Sequence, residues 1–242
     1  MTEQQSSYRQ IMKVTSIFGG VQVFQIIIQV IRSKFIAVLL GPAGMGIVGL
    51  LTSTTGLITG LTNFGLGTSA VKDVAAANAT GNDNRIATIV TVLRRWVWIT
   101  GLLGSIITLF LSPWLSQLTF GNKDYTVAFI WLSITLLFQQ LSTGQLVLLQ
   151  GMRKLQHLAK ASMTGSLFGL LISVPIYYFY GVDGIVPAII LSSITTMVLS
   201  WYFASKVVIQ PVVVTRARTF AEGREMLKMG FMISLTGLIG LG

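Results

Sequence analysis

The sequence predicts an all-α fold, a polytopic bundle of transmembrane helices, on three observations. Hydrophobic residues make up 52% of the chain and charged residues only 10%, against roughly 25% charged in a soluble domain. The mean hydropathy is strongly positive. Charge-free runs cover residues 14–31, 35–71, 96–122, 125–152, 161–182, 184–205 and 229–242. A helix needs about 20 apolar residues to cross about 30 Å of hydrocarbon, and most of these runs suffice. Bilayer is the natural solvent for such a chain.

Taken in order, the first run starts near residue 11 and lacks an Ala-x-Ala cleavage pattern, so it reads as a retained span. The run 35–71 is too long for one crossing and contains Gly41-Pro42-Ala43-Gly44, a combination that breaks and turns a chain. The second span is therefore expected from about Met45 to Leu66, with 35–40 left to the end of the first. Trp96 and Trp98 open the third span and Trp114 ends it, as aromatic belts at two headgroup layers do. Pro113 and the stretch from Gly121 to Asp124 close it. Gly181 to Gly184 separate the fifth span from the sixth. The last run, 229–242, would reach only about 21 Å as a helix. A chain rarely stops there, so a fragment is expected. The predicted organisation is a six-helix bundle over 1–206, a basic cytoplasmic linker over 207–228, and the start of a seventh span over 229–242. It would form the N-terminal lobe of a two-lobe transporter.

Net charge is +10, and the placement of the cations says more than their sum. Arg9, Lys13, Lys72, Arg85, Arg153, Lys154, Lys160, Lys206, Arg216, Arg218, Arg224 and Lys228 fall on one side of the expected topology. Lys123 falls on the other, with Arg32 and Lys34 near its first turn. Lys and Arg accumulate in cytoplasmic loops, which puts the N-terminus in the cytoplasm. No basic groove with interleaved aromatics lies outside the spans, so nucleic acid is not an expected partner. Arg94 and Arg95 directly precede Trp96 and read as interface anchors. With no Cys and one His, His157, the chain offers neither disulfides nor a zinc site, and no cofactor is expected.

Polar residues inside apolar helices should face other helices or water. Gln22, Gln25, Gln29 and Arg32 share one helical face in the first span. Thr52, Thr55, Thr59 and Thr62, beside Asn63, form a stripe in the second, and Thr135, Gln139, Ser142 and Gln145 in the fourth. Threonines and serines of this kind commonly glue helices together. A face of three glutamines leading to an arginine points instead to a water-filled cavity. Arg32 and Lys34 have two readings. If the first helix continues to Leu40, both lie within its outer half, where a cation requires water or an anion. If it ends near Ile31, they reach the far headgroups. None of Glu3, Asp73, Asp83, Asp124, Asp183, Glu222 and Glu225 falls inside a span, so no carboxylate relay for a coupling ion is in view.

Several short strings resemble one family. The turn Leu40-Gly41-Pro42-Ala43-Gly44-Met45-Gly46 is similar to that of polysaccharide flippases, the O-antigen and enterobacterial-common-antigen translocases of the multidrug/oligosaccharidyl-lipid/polysaccharide exporter superfamily. Phe64-Gly65-Leu66-Gly67, Phe120-Gly121-Asn122-Lys123-Asp124-Tyr125 and Gln150-Gly151-Met152-Arg153 resemble it too. The resemblance implies two helix bundles around a cationic cavity, alternating access, and an oligosaccharide carried on undecaprenyl pyrophosphate in a bacterial inner membrane. Membrane lipids and other polysaccharide-assembly membrane proteins are the further partners it implies. Arg32 matches a basic position at the outer part of the first span in related flippases, and a pyrophosphate-holding role is carried to it, and less directly to Lys34. Gln25 and Gln29 extend that site along the stripe.

Three other functions compete with a flippase. A drug or cation exporter of the same architecture would favour acidic groups in its cavity. A membrane-embedded sugar transferase or polymerase needs carboxylates or His, usually in a sizeable loop, whereas Lys123, Asp124 and Asp183 are the only charges in the short outer loops. No enzymatic activity is therefore expected. A structural scaffold is the third.

Overall fold

The computed structural model describes the backbone of residues 3–210 and 212–239, and side-chain surroundings for Ser16, 19–210 and 212–233. Arg9 and Lys13, counted above for orientation, lie outside the described side chains, as does the end of the expected seventh span from residue 234. Among the described residues the structure is helical, without strands: α1 Glu3–Asn63, α2 Leu66–Ala79, α3 Asp83–Phe120, α4 Thr126–Gly151, α5 Leu155–Tyr180, a 3-10 turn Gly181–Gly184, α6 Ile185–Ser205 and α7 Arg216–Ile239.

Four helical stretches are long and apolar enough to cross a membrane: Gly19–Asn63, Asp83–Phe120, Thr126–Gly151 and Leu155–Ser205. The first and last are each broken once. Gly41 sits at φ 68°, ψ −174°, a backbone conformation that glycine alone adopts without strain. Nothing lies within 4 Å of where its side chain would be, so backbone geometry, not space, demands glycine here. Pro42 then opens the second limb of α1, residues 42–63, at a first-turn position that needs no N–H donor. The first limb, residues 3–40, is helical throughout. That decides between the two readings of Arg32 and Lys34 in favour of a helix running on past both.

Cap chemistry fixes the other ends. Asn82 caps α3, its Oδ1 accepting from the backbone N–H groups of Asn84 (3.0 Å) and Arg85 (3.2 Å). Gly121, at φ 74°, ends α3, and Gly181 ends α5. α3 starts well before Trp96, so the basic segment leading to the third expected span is itself helix. The expected linker 207–228 is helical from Arg216 onward.

Helix pairs α3–α4, α5–α6, α4–α6, and α1 with α5 and α3 form the bundle. Their contacts use small residues. A side-chain carbon on Gly104 would stand 2.8 Å from Thr62 Oγ1, and one on Gly144 2.7 Å from Val97. Buried Thr100, Thr108, Ser112, Ser116, Ser173 and Ser200 line the interior, while Leu57, Leu61, Phe110 and Phe179 are exposed by 70% or more. An apolar exterior around small polar contacts is the packing expected in lipid, where van der Waals fit and hydrogen bonds hold helices together.

Two apolar clusters mark the ends of the bundle. Ile36, Leu40, Leu51, Leu115, Phe129, Tyr177 and Ile185 gather beside the breaks at Gly41, Gly121 and Gly181. Leu66, Val74, Val90, Leu93, Leu148 and Met226 gather at the opposite, basic end. There α2 and the start of α7 pack against the start of α3.

Asp73 belongs to that basic-end assembly. Burial pushes its carboxyl above the ordinary 3.8, Lys72 and Arg85 pull it back down, and Glu222 and Glu225 push it up again. The folded state therefore binds more protons than the unfolded chain between the two values, and stability falls as pH rises through them. Asp73→Asn is expected to raise the melting temperature at neutral pH. The gain should shrink as the pH falls through the raised folded value, where wild-type Asp73 takes up a proton of its own. Thermal unfolding across that range checks it.

Candidate functional site

The first limb of α1 buries Ile28, Ile36 and Leu40, one row at i, i+4 spacing. Arg32 stands in that row between Ile28 and Ile36 and is half-buried. Its Nε is sealed from solvent, and no group among the described residues accepts its hydrogen bond. A buried donor without an acceptor costs about 1–3 kcal/mol, and more when it is charged. Both ion pairs among the described residues go to Glu222, so none of the described carboxylates neutralises Arg32.

The neighbouring candidates divide. Gln25 is half-buried on the side of Arg32, whereas Gln22, Gln29 and Lys34 are exposed. Gln25 and Arg32 are seven positions apart, about 10 Å along the axis. The arrangement is thus a track along one helix flank with the guanidinium at the end nearer Gly41. The Tyr177 hydroxyl of α5, also sealed and unpaired, belongs to the same apolar cluster as Ile36 and Leu40.

The threonine stripe of the second limb behaves as packing. Thr52, Thr55, Thr59 and Thr62 each donate to the carbonyl four residues back, at 2.7–2.9 Å. Their hydroxyls are satisfied within their own helix. On α4, Thr135 and Ser142 are buried, Gln145 is half-buried and Gln139 is exposed.

Gln140, which the stripe reading passed over, is the connected residue. It is 3% exposed, and its Nε2 donates to Asn63 Oδ1 and to Thr100 Oγ1, both at 3.0 Å. This one amide ties the end of α1 to α3 and α4. Its signal was present in the sequence: Leu132, Leu136, Gln140, Gly144 and Leu148 form a single i, i+4 row, and all five are buried. Gln140→Leu is expected to destabilise the detergent-solubilised protein by about 1 kcal/mol, the scale of one interhelical hydrogen bond in a membrane. Gln139→Leu, one residue away and exposed, should leave the melting temperature unchanged.

Arg94 and Arg95, alike in sequence, part company. Arg95 Nη1 donates to the Val214 carbonyl (3.0 Å) and to Thr219 Oγ1, pinning the start of α7. Arg94 instead lines a cavity between α3, α4 and α6. His157 lies half-buried in the first turn of α5.

The site is therefore a cationic, amide-flanked helix face in an apolar bundle: it can hold an anion, and it gathers no cluster of acids or histidines among the described residues. No curated protein and no solved structure matches the chain. One family model does, over residues 11–241, and its description is polysaccharide biosynthesis protein. That match takes in α1 through α7, and the chain is a membrane protein belonging to the polysaccharide biosynthesis protein family.

Proposed function

We propose that this chain is one lobe of a flippase that moves oligosaccharide linked to undecaprenyl pyrophosphate across a bacterial inner membrane. The observation that carries the reading is the Arg32 guanidinium, half-buried in an apolar helix, with an unpaired Nε and no acidic partner among the described residues. A diphosphate suits it, because the planar fork of arginine binds phosphate oxygens bidentately. Gln25 and Gln29 would hydrate or hydrogen-bond the sugar, and Lys34 would add positive charge at the outer end.

Topology supports the same reading. The breaks at Gly41 and Gly181–Gly184 divide two of the four long apolar stretches, which gives six crossings with α7 entering a seventh. Lys and Arg concentrate at the end opposite those breaks, so that end, with the N-terminus, faces the cytoplasm. A cationic face repels the substrates of a drug or cation exporter. A transferase would draw on acid–base groups, whereas Asp83 only opens one apolar stretch, Asp183 lies in the Gly181–Gly184 break of another, and the remaining acids stand outside them.

The test uses the full-length gene in a strain lacking its own flippase. Restored surface polysaccharide, with lipid-linked precursor accumulating on the cytoplasmic side when the gene is absent, is the expected result. Loss of the precursor itself in the gene's absence would place the protein in synthesis instead and overturn the flippase reading.

A further inference from the structure

Arg94 and Trp98 stand one turn apart on α3 at the basic end of the bundle. They border a cavity of about 540 Å³ whose apolar walls include Val97, Phe138, Met197 and Trp201. On the other side of Trp98 a second concavity, about 600 Å³, is lined by Arg95, Arg216 and Phe220. Arg95 is committed to Val214 and Thr219. Among the described residues Arg94 and Arg216 make no hydrogen bond or ion pair. Trp98 and Trp201 are 50% and 60% exposed, and both lie on the surface that the bundle turns outward.

We propose that this groove is a binding site for an anionic phospholipid of the leaflet at the basic end. One acyl chain fills the apolar cavity between Trp98, Phe138 and Trp201, and the phosphate rests against Arg94 and Arg216. Three features select that occupant. Basic pockets between transmembrane helices bind anionic headgroups. Tryptophan sits at the headgroup boundary, where its ring is half in hydrocarbon. The two free guanidinium groups repel the cationic end of a zwitterionic headgroup while matching phosphate oxygens. The two concavities draw on α3, α4, α6 and α7, and no residue of α1 takes part. The site is therefore separate from Arg32, and its fate is independent of the transport reading.

Bromine on an acyl chain quenches tryptophan on contact, so Trp98 and Trp201 report occupancy. The full-length protein is placed in phosphatidylcholine nanodiscs with increasing dibrominated phosphatidylglycerol or dibrominated phosphatidylcholine. The fluorescence lost in Trp98→Phe/Trp201→Phe defines the signal. Phosphatidylglycerol should quench it at about fivefold lower mole fraction for each arginine engaged. Arg94→Gln should narrow the gap by that factor, and Arg94→Lys should keep most of it. Lys72→Gln removes the same charge from the same end outside the groove and should leave the gap intact. Equal quenching by both lipids would overturn the proposal. A gap narrowed as much by Lys72→Gln as by Arg94→Gln would also overturn it, since that result means attraction to the whole basic surface.

Discussion

Arg32→Ala in the full-length protein is expected to reduce export of surface polysaccharide by about 10- to 100-fold, the scale of one hydrogen bond to a charged group. Arg32→Lys should recover part of the activity, because it restores the charge without the bidentate fork. Lys34→Ala should cost less, since Lys34 is exposed whereas Arg32 lies in the buried row with Ile28 and Ile36. Protein level and melting temperature of each variant are measured beside export. The Arg32→Ala protein should be as stable as wild type or more so, because it removes a sealed, unpaired donor. Export that falls while stability holds is the signature of a binding role; export and stability falling together would make Arg32 structural.

Gly223→Ala is the second large effect. The indole of Trp96 occupies the space a side chain at Gly223 would need: an added carbon would collide with its Nε1. That nitrogen donates to the Thr219 carbonyl at 3.1 Å, one turn earlier on α7, and the ring meets Phe220 edge-on at 5.7 Å. Only a bare backbone at 223 lets the indole reach that carbonyl. Alanine should displace the ring, break the bond and loosen α7 from α3, costing about 1–3 kcal/mol as overpacking does. The melting temperature should fall by several degrees. Adding Trp96→Leu, which vacates the space, should return much of the loss, and the double-mutant cycle reads the coupling. Arg85→Gln tests the alternative that charge holds α7. The Arg85–Glu222 pair, at 2.7 Å, is half-exposed on its arginine side, and such pairs contribute about 1 kcal/mol or less. Its removal should therefore cost less than Gly223→Ala.

These two sites also show what local sequence can and cannot convey. Gly41-Pro42, Gly121 and Gly181 announced their breaks because glycine and proline act on the backbone where they stand. The helical phase of Gln25 and Arg32 was likewise legible, and the structure places both on the half-buried flank. Gln29 and Lys34, drawn from the same stretch, face outward. A stripe defined by residue type alone does not reveal which edge a neighbouring helix covers. Gln140 was hidden by its neighbour: Gln139 fitted a polar stripe, and only the row through Leu136 and Gly144 identifies the buried amide. Helix α2 passed unseen because a search for apolar crossings treats a charged segment as loop, although Val74-Ala75-Ala76-Ala77 favours helix. The different fates of Arg94 and Arg95 depend on the start of α7, more than a hundred residues downstream, which no local pattern contains.

Transport through this lobe requires that the flank of α1 bearing Gln25 and Arg32 meet water and an anion. This chain contains no cysteine, so single thiols introduced at positions 25, 29 and 32 can be read cleanly, with one at the exposed apolar position Phe110 as the lipid-facing control. Water-soluble, membrane-impermeant maleimide is expected to label positions 25, 29 and 32, added lipid-linked oligosaccharide to slow that labelling, and position 110 to stay silent. Silence at 25, 29 and 32 alike, with lipid-soluble reagents reaching all three, would contradict it.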